Sequence, residues 1–185
     1  MIRTFIAVEI TDEIRERLRD AQAEMAHAGA AVRWTAPENV HLTLRFLGDI
    51  DQAQVTEIAA VMNEAAGEVS PFTLPVRGVG AFPDLRRPHV LWVGITASEP
   101  LATLYEGLDA GLADFDVKQE MRGFTPHLTL GRVRGPSGIE RLGEKLAALA
   151  DEEFGEMTVD EIMLMMSDLT PAGAVYTPLA RAALR

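Results

Sequence analysis

The sequence contains no cysteine, and this absence excludes disulfide bonds, metal sites built from thiolates and a cysteine nucleophile. It is compatible with the reducing environment of the cytoplasm, where we expect the protein to be located. No apolar run reaches the length of a membrane-spanning helix, so we expect no membrane partner. The apolar run at the amino terminus is broken by Glu9 and lacks a small-residue cleavage site, so it predicts a first strand and not a signal peptide.

Positive charge is also scarce. The net charge is −11 at pH 7, and arginine supplies every basic side chain except Lys118 and Lys145. A protein that holds nucleic acid by bulk electrostatics needs a broad basic face, which this composition does not provide. Any phosphate group must therefore be bound locally. The 185 residues, of which 48% are hydrophobic and 24% charged, are typical of a soluble globular protein with one domain, or with two small lobes that share a core.

One short motif occurs twice. His41-Leu-Thr-Leu44 recurs as His127-Leu-Thr-Leu130, and the two copies contain two of the four histidines in the chain. In an extended strand side chains alternate between faces, so each histidine shares a face with its threonine while the leucines face the opposite layer. The duplication can serve structure or chemistry. We favour chemistry because an imidazole and a hydroxyl lie together on the face without leucines.

The elements around the two copies follow the same order. Hydrophobic periodicity predicts strands at 2–10, 40–47, 72–79, 90–95, 124–133 and 158–166, with a last short strand from Val175 and Tyr176. The predicted helix N-caps are Thr11, Asp51, Ser98 and Ser137, the last in a capping box with Glu140. Gly48 is expected to end the strand that carries the first motif.

This repetition predicts an α+β fold in which one β-α-β-α-β unit is used twice. We expect a single domain over 1–185, with lobes at approximately 1–83 and 84–185 that are related by a pseudo-two-fold axis and are free to exchange strands. The sheets should be mostly antiparallel and surround a central cleft, with helices on the outer faces. The two imidazoles should then face each other across the cleft.

Two histidines, two threonine hydroxyls and nearby arginines suit a phosphodiester. Because a free imidazole has a pKa near 6.5, one ring can act as a base while the other acts as an acid. The hydroxyls can donate hydrogen bonds to phosphate oxygens where charge develops. A metal site is the alternative for two histidines, but the motif lacks a further ligand on the same face, so we expect neither a metal nor a cofactor. The arginines that flank the motifs are Arg33, Arg45, Arg122, Arg132 and Arg134.

A family resemblance extends along nearly the whole chain. The segments that carry it are 5–10, 37–48, 80–83, 87–88, 124–132 and 175–178. In these the chain resembles the 2H phosphoesterase superfamily, and within it the RNA 2′,3′-cyclic phosphodiesterases of the LigT or ThpR type, also called 2′-5′ RNA ligases. The resemblance implies a bilobal fold with both histidines in the cleft, His41 as the proton donor and His127 as the proton acceptor. It also implies a 2′-phosphomonoester product.

Four further residues are expected to bind the substrate. Thr43 and Thr129 follow from the motif itself, whereas the resemblance assigns nucleotide contacts to Phe46 and Arg132. The odd spacing of these two from the histidines places them on the wrong face of an ideal strand. Gly131 offers a twist for Arg132, while Phe46 remains either a base platform or a core residue.

The expected substrate is RNA that ends in a 2′,3′-cyclic phosphate, or a cyclic nucleotide, and we expect the protein to act on it as a monomer. Two alternatives remain open at this point. The same groups can catalyse the reverse reaction, the 2′-5′ ligation of tRNA halves. The chain can also be a noncatalytic nucleotide-binding module that retains the cleft, although binding alone does not require both histidines.

Overall fold

The computed structural model of the protein describes residues 1–117, 123–171 and 173–185. Its strands are β1 (Ile2–Glu9), β2 (Val32–Trp34), β3 (His41–Ile50), β4 (Phe72–Phe82), β5 (Val90–Ile95), β6 (His127–Val133), β7 (Glu153–Val159), β8 (Glu161–Thr170) and β9 (Gly173–Ala183). Its helices are α1 (Asp12–Ala26), α2 (Val55–Gly67), α3 (Glu99–Gly111) and α4 (Ile139–Ala148), and short 3₁₀ turns cover Pro37–Asn39 and Gln52–Gln54. None of the described helices is long and apolar enough to span a membrane.

All strands belong to one antiparallel sheet in the order β7-β4-β5-β6-β3-β1-β8-β9, with β2 paired to β6. The two motif strands, β3 and β6, are neighbours at the centre. β1, the first strand of the first half of the sequence, lies next to β3, and β5, the first strand of the second half, lies next to β6. Beyond them β8 pairs with β1 and β4 pairs with β5, so each half of the sheet contains strands from both halves of the sequence. The predicted α+β fold with a duplicated, antiparallel plan is confirmed.

The leucines of both motifs face the main hydrophobic core. Leu42, Leu44, Leu128 and Leu130 are at most 3% exposed and belong to one large cluster with the buried faces of the four described helices. The histidines and threonines of the motifs are only half-buried. Helices therefore cover the leucine face of the sheet, and the face with imidazoles and hydroxyls remains open, as the period of two predicts.

Local capping agrees with three of the four predicted helix starts. The Thr11 and Ser98 hydroxyls accept hydrogen bonds from the backbone N–H of Ile14 and Leu101, at 3.4 Å each, and so cap α1 and α3. Asp51 caps the 3₁₀ turn that leads into α2.

The fourth helix start was predicted wrongly. Gly138, and not Ser137, is the N-cap of α4, and no side chain among the described residues caps this helix. Glu140 consequently falls one position too early for a capping box. Gly138 has φ +72°, and a Cβ there would lie 2.8 Å from the backbone of Ala30. A close approach to another loop therefore sets where α4 begins.

Strand boundaries also differ from the prediction. β3 does not end at Gly48 but continues through it, at φ +80°, to Ile50. The predicted strand 158–166 is two strands, β7 and β8, separated by Asp160, and the last strand has 11 residues. β6 begins at His127, directly after Pro126, which has no N–H to donate and contributes only its carbonyl oxygen, 3.3 Å from the backbone nitrogen of Ile95.

Candidate active site

A β-bulge at the last residue of the first motif determines which side chains lie on the open face of the sheet. The pairing of β1 with β3 passes from Ala7 with Thr43 to Ile6 with Arg45, so Leu44 is an extra residue on β3. Leu44 and Arg45 are both buried as a result, and Phe46 emerges on the same face as His41. Phe46 is 47% exposed and lines the cleft, so it is not a core residue.

The second motif carries the same bulge at the same place. The pairing of β5 with β6 passes from Trp92 with Thr129 to Leu91 with Gly131, which makes Leu130 the extra residue. Arg132 consequently lies exposed on the histidine face and lines the cleft. Gly131 serves a different purpose from the expected twist, because a Cβ there would lie 2.9 Å from Val32 and 3.1 Å from Trp34. Its missing side chain lets β2 pack against β6.

The register between β3 and β6 sets the arrangement of the two motifs. In the described residues these strands are joined by the pair Leu42 and Leu128. One step along an antiparallel ladder in each direction places His41 across from Thr129, and Thr43 across from His127. His41 and His127 are therefore diagonal neighbours, and the Cα atoms of such residues lie about 7–8 Å apart in a regular ladder. Each imidazole lies beside the threonine of the other motif, and the two rings do not sit directly opposite each other.

Both histidines are held by the same hydrogen bond. His41 Nδ1 lies 2.8 Å from the carbonyl oxygen of Asn39, and His127 Nδ1 lies 2.7 Å from the carbonyl oxygen of Thr125. Since a carbonyl oxygen only accepts, Nδ1 is the donor in each ring. In the neutral ring Nε2 therefore has a free lone pair, and Nε2 is the atom that can exchange a proton with a ligand.

The surroundings of His41 are aromatic. Its ring stacks on Phe5, with centroids 4.6 Å apart, and meets the edge of Tyr176 at 5.3 Å. Burial lowers the pKa of His41 to about 4, and the hydrogen bond to Asn39 opposes this shift only in part. In the free protein at neutral pH, His41 is therefore uncharged.

His127 has a more open environment. Its ring meets Phe82 edge-on, with centroids 5.1 Å apart. The ring lies at the start of β6, outside the cavity that Thr129 and Arg132 of the same strand line. In the part of the chain that the structure describes, the second histidine thus has one aromatic neighbour and the first has two.

The cleft beside His41 is cationic. It has a volume of about 290 Å³, and its lining includes Thr43, Thr129 and Arg132 together with Arg3. Burial raises the pKa of Tyr176, while the positive charges of Arg132 and Arg3 oppose that shift. Arg3 was missed by the sequence reasoning, although it shares the period-two face of β1 with Phe5.

The other motif-flanking arginines have different positions. Arg45 is 2% exposed on the core side of the sheet, where its Nη2 lies 3.0 Å from Asp109 Oδ1 of α3. Arg33 and Arg134 line a second cavity that adjoins the cleft. Arg122 lies outside the described residues. Among the residues that the structure describes, no group of three or more histidine or acidic side chains is arranged to hold a metal ion.

Side-chain amides brace the walls of the site. Gln22 of α1 donates from Nε2 to the carbonyl oxygens of Thr35, at 2.8 Å, and Leu130, at 2.9 Å. The second of these is the bulged residue of β6. Asn39 Nδ2 donates to the carbonyl oxygen of Ala174 at 2.8 Å and so ties the loop before His41 to β9.

Comparison with known proteins agrees with the duplicated plan. The family model described as LigT like Phosphoesterase matches residues 8–92 and again 93–176. The RNA 2′,3′-cyclic phosphodiesterase of Methanothermobacter thermautotrophicus is 35% identical over 178 residues, which cover 96% of each chain. The protein of the same name from Thermotoga maritima is 33% identical over 179 residues, covering 96% of this chain and 93% of its own.

Solved structures also match this chain over nearly its whole length. The crystal structure of TT0787 of Thermus thermophilus matches with a TM-score of 0.85 and 30% identity, over 100% of this chain and 98% of that one. Escherichia coli LigT in complex with 3′-AMP matches with a TM-score of 0.79 and 28% identity, over 99% and 98%. The chain belongs to the LigT-like phosphoesterase family.

Proposed function

We propose that this phosphoesterase opens the terminal 2′,3′-cyclic phosphate of RNA with water, without a metal ion, and leaves a 2′-phosphomonoester. The observation that carries the proposal is the pair of equivalent Nδ1 hydrogen bonds, which leave Nε2 of both histidines available on the face that holds Thr43 and Thr129. A proton donor and a proton acceptor are the two groups that this hydrolysis requires. The relatives named RNA 2′,3′-cyclic phosphodiesterase support the choice of substrate.

The proposed reaction divides the proton transfers between the histidines. His127 Nε2 takes a proton from water as the water oxygen attacks phosphorus. The bond between phosphorus and the 3′ oxygen breaks, and that oxygen receives a proton from His41 Nε2. Thr43 and Thr129 donate hydrogen bonds to the non-bridging oxygens, and Arg132 contributes positive charge. Phe46 offers an aromatic surface to the base.

His41 must carry a proton to act as the donor, although its pKa in the free cleft is about 4. We infer that it takes up this proton together with the substrate. A bound phosphodiester anion favours the charged ring, and the face of Phe5 lies within the distance at which an aromatic ring attracts a cation. Binding of the anion and protonation of His41 are then coupled.

The test is to incubate the purified protein with an RNA that ends in a 2′,3′-cyclic phosphate and to locate the product phosphate by phosphorus NMR. The expected product is the 2′-phosphate, at the same rate before and after treatment with EDTA. A 3′-phosphate product, or no turnover, contradicts the proposed reaction. Loss of activity in EDTA that a divalent cation restores contradicts its independence from metal.

A further inference from the structure

A second cavity, of about 380 Å³, adjoins the cleft. The two share the side chains of Arg132, Tyr176 and Thr35 on their walls, so a ligand can pass from one to the other. The additional wall residues of the second cavity include Arg33 and Arg134. We call this second cavity, lined by Arg33, Trp34, Arg132 and Arg134, the arginine groove.

The arginine groove concentrates like charges. Arg33 of β2 pairs directly with Arg132 of β6 across the ladder, and Arg134 continues the line two residues after Arg132. Like charges directly opposite each other destabilise a sheet. All three side chains are exposed, and none of them forms an ion pair with a carboxylate in the described part of the chain.

Such a cluster is unexpected in a chain with a net charge of −11. Glu38 also lines the groove, but it leaves an excess of positive charge there. An anion between the guanidinium groups would relieve their repulsion, and phosphate is well suited because arginine binds it with two parallel hydrogen bonds.

We propose that the arginine groove binds the phosphodiester on the 5′ side of the terminal nucleotide, so that the enzyme recognises an oligonucleotide and not only its cyclic end. This proposal rests on the function proposed above. A ribose whose 2′ and 3′ oxygens form the cyclic phosphate continues into the RNA only through its 5′ oxygen. With the cyclic phosphate beside His41, the next phosphate must leave the cleft, and the arginine groove is a cavity that shares a wall with the cleft.

The ring of Trp34 belongs to the core side of β2 and not to the side of the arginines. Neighbouring residues of a strand alternate between faces. Trp34 packs against the hydrophobic core, and a Cβ on Gly131 would lie 3.1 Å from its ring and 2.9 Å from Val32. The contact that we assign to the arginine groove is therefore to a phosphate, and the proposal does not extend to the preceding base.

The test compares a 2′,3′-cyclic mononucleotide with a dinucleotide that ends in the same cyclic nucleotide. We expect Arg33→Ala and Arg134→Ala each to lower kcat/KM for the dinucleotide by roughly tenfold, the effect of losing one exposed charged contact, and to leave the mononucleotide within about twofold. Arg19→Ala, which removes the same charge from the exposed face of α1, is the matched control and should change neither substrate. An equal loss on both substrates, or no loss on either, overturns the proposal.

A binding measurement separates this proposal from the proposed function. A dinucleotide with a 2′-phosphate should bind more tightly than the corresponding mononucleotide. The logarithm of its association constant should decrease less steeply with the logarithm of the salt concentration in Arg33→Ala, by about 0.7 in the slope. If the protein turns over neither cyclic substrate, the proposed reaction fails, and this comparison still decides whether the groove binds the second phosphate. Equal affinities for the dinucleotide and the mononucleotide would contradict the proposal that the arginine groove binds the second phosphate.

Discussion

The two copies of the motif have the same backbone geometry and different surroundings. In both, Nδ1 of the histidine contacts the carbonyl oxygen two residues earlier, and a bulge follows at the second leucine. Around His41, however, Phe5 and Tyr176 contact the ring, whereas Phe82 is the one aromatic side chain among the described residues that contacts His127. The repeated sequence thus fixes which nitrogen is available, and residues outside the repeat set how easily that nitrogen holds a proton.

The bulges themselves are supported differently. The residue after the extra leucine is Arg45 in β3, a buried cation that pairs with Asp109, and Gly131 in β6, beside which Gln22 bonds the Leu130 carbonyl. An ion pair therefore stabilises the bulge of β3, and a hydrogen bond from a neutral amide stabilises the bulge of β6. Both solutions bring the residue five positions after the histidine, Phe46 or Arg132, onto the open face. The two halves share a geometry that their sequences reach by separate contacts.

The largest expected effects come from removing either histidine. His41→Ala and His127→Ala should each lower kcat by roughly 10²- to 10⁴-fold, the usual contribution of a positioned acid or base. The two losses should respond differently to the leaving group. A 3′-bridging sulfur leaves as a stable thiolate without a proton, so this substrate should restore much of the rate of His41→Ala and little of that of His127→Ala.

The matched control for both variants is His89→Ala, since His89 is exposed and lies outside the motifs. It should keep the wild-type rate. Rescue of His127→Ala by the sulfur substrate would reverse the assignment of donor and acceptor. Wild-type rates in both single variants would remove the histidines from the mechanism.

The threonines should contribute equally if the two motifs are equivalent toward the phosphate. Thr43→Val and Thr129→Val keep the shape that favours a strand and remove one hydroxyl donor each, which should lower kcat by about 10²-fold. Thr158→Val, at an exposed position of β7, is the control for the same substitution in a strand. A loss in one motif only would show that a single hydroxyl contacts the developing charge.

The support of the first bulge can be tested through stability. Asp109→Ala leaves the guanidinium of Arg45 buried without its partner and should lower the free energy of unfolding by about 2 kcal/mol. Arg45→Met leaves only Asp109, which is 50% exposed and stays hydrated, so it should cost less than about 1 kcal/mol. Urea denaturation measures both. A larger cost for Arg45→Met than for Asp109→Ala would contradict this account of the pair.

Much of this molecule follows from periodicity. The period of two in His41-Leu-Thr-Leu44 separates the leucine face from the imidazole face, and the structure has that separation. The caps at Thr11 and Ser98 follow from the preceding and following residues alone. These features depend on contacts within a few residues, which is why the sequence is sufficient to predict them.

The features that the sequence did not reveal depend on distant contacts. A bulge is defined by the partner strand, so the position of Phe46 could not be decided from the spacing along β3. Gln22 and Arg45 resemble surface residues in the sequence, and their burial is visible only once α1 and α3 are packed on the sheet. The cap of α4 is set by Ala30, far away in the chain. Tertiary context decided each of these cases.

The smallest expected effect concerns the protonation of His41. Tyr176→Ala should admit water beside the ring and raise the pKa of His41 from about 4 toward its ordinary value near 6.5. Phe82→Ala, the matched change beside His127, should leave the pKa of His41 where it is. NMR titration of the histidine ring protons measures both. Tyr176 also lies near Arg132 and Arg3, and these charges are kept in both variants.

The same difference should appear in the pH dependence of stability. Between pH 6.5 and 4 the unfolded chain binds a proton at His41 that the folded wild type does not, so the free energy of unfolding should fall as the pH falls through this range. Tyr176→Ala should show a shallower fall over that interval, because its folded state can take up the proton too. Phe82→Ala should keep the wild-type slope. Suppose that Tyr176→Ala changes neither the pH dependence of the free energy of unfolding nor the titration of His41. Phe5 and its strand β1 would then be sufficient to keep the His41 ring uncharged, and the contrast between the two motifs would lie in β1 alone.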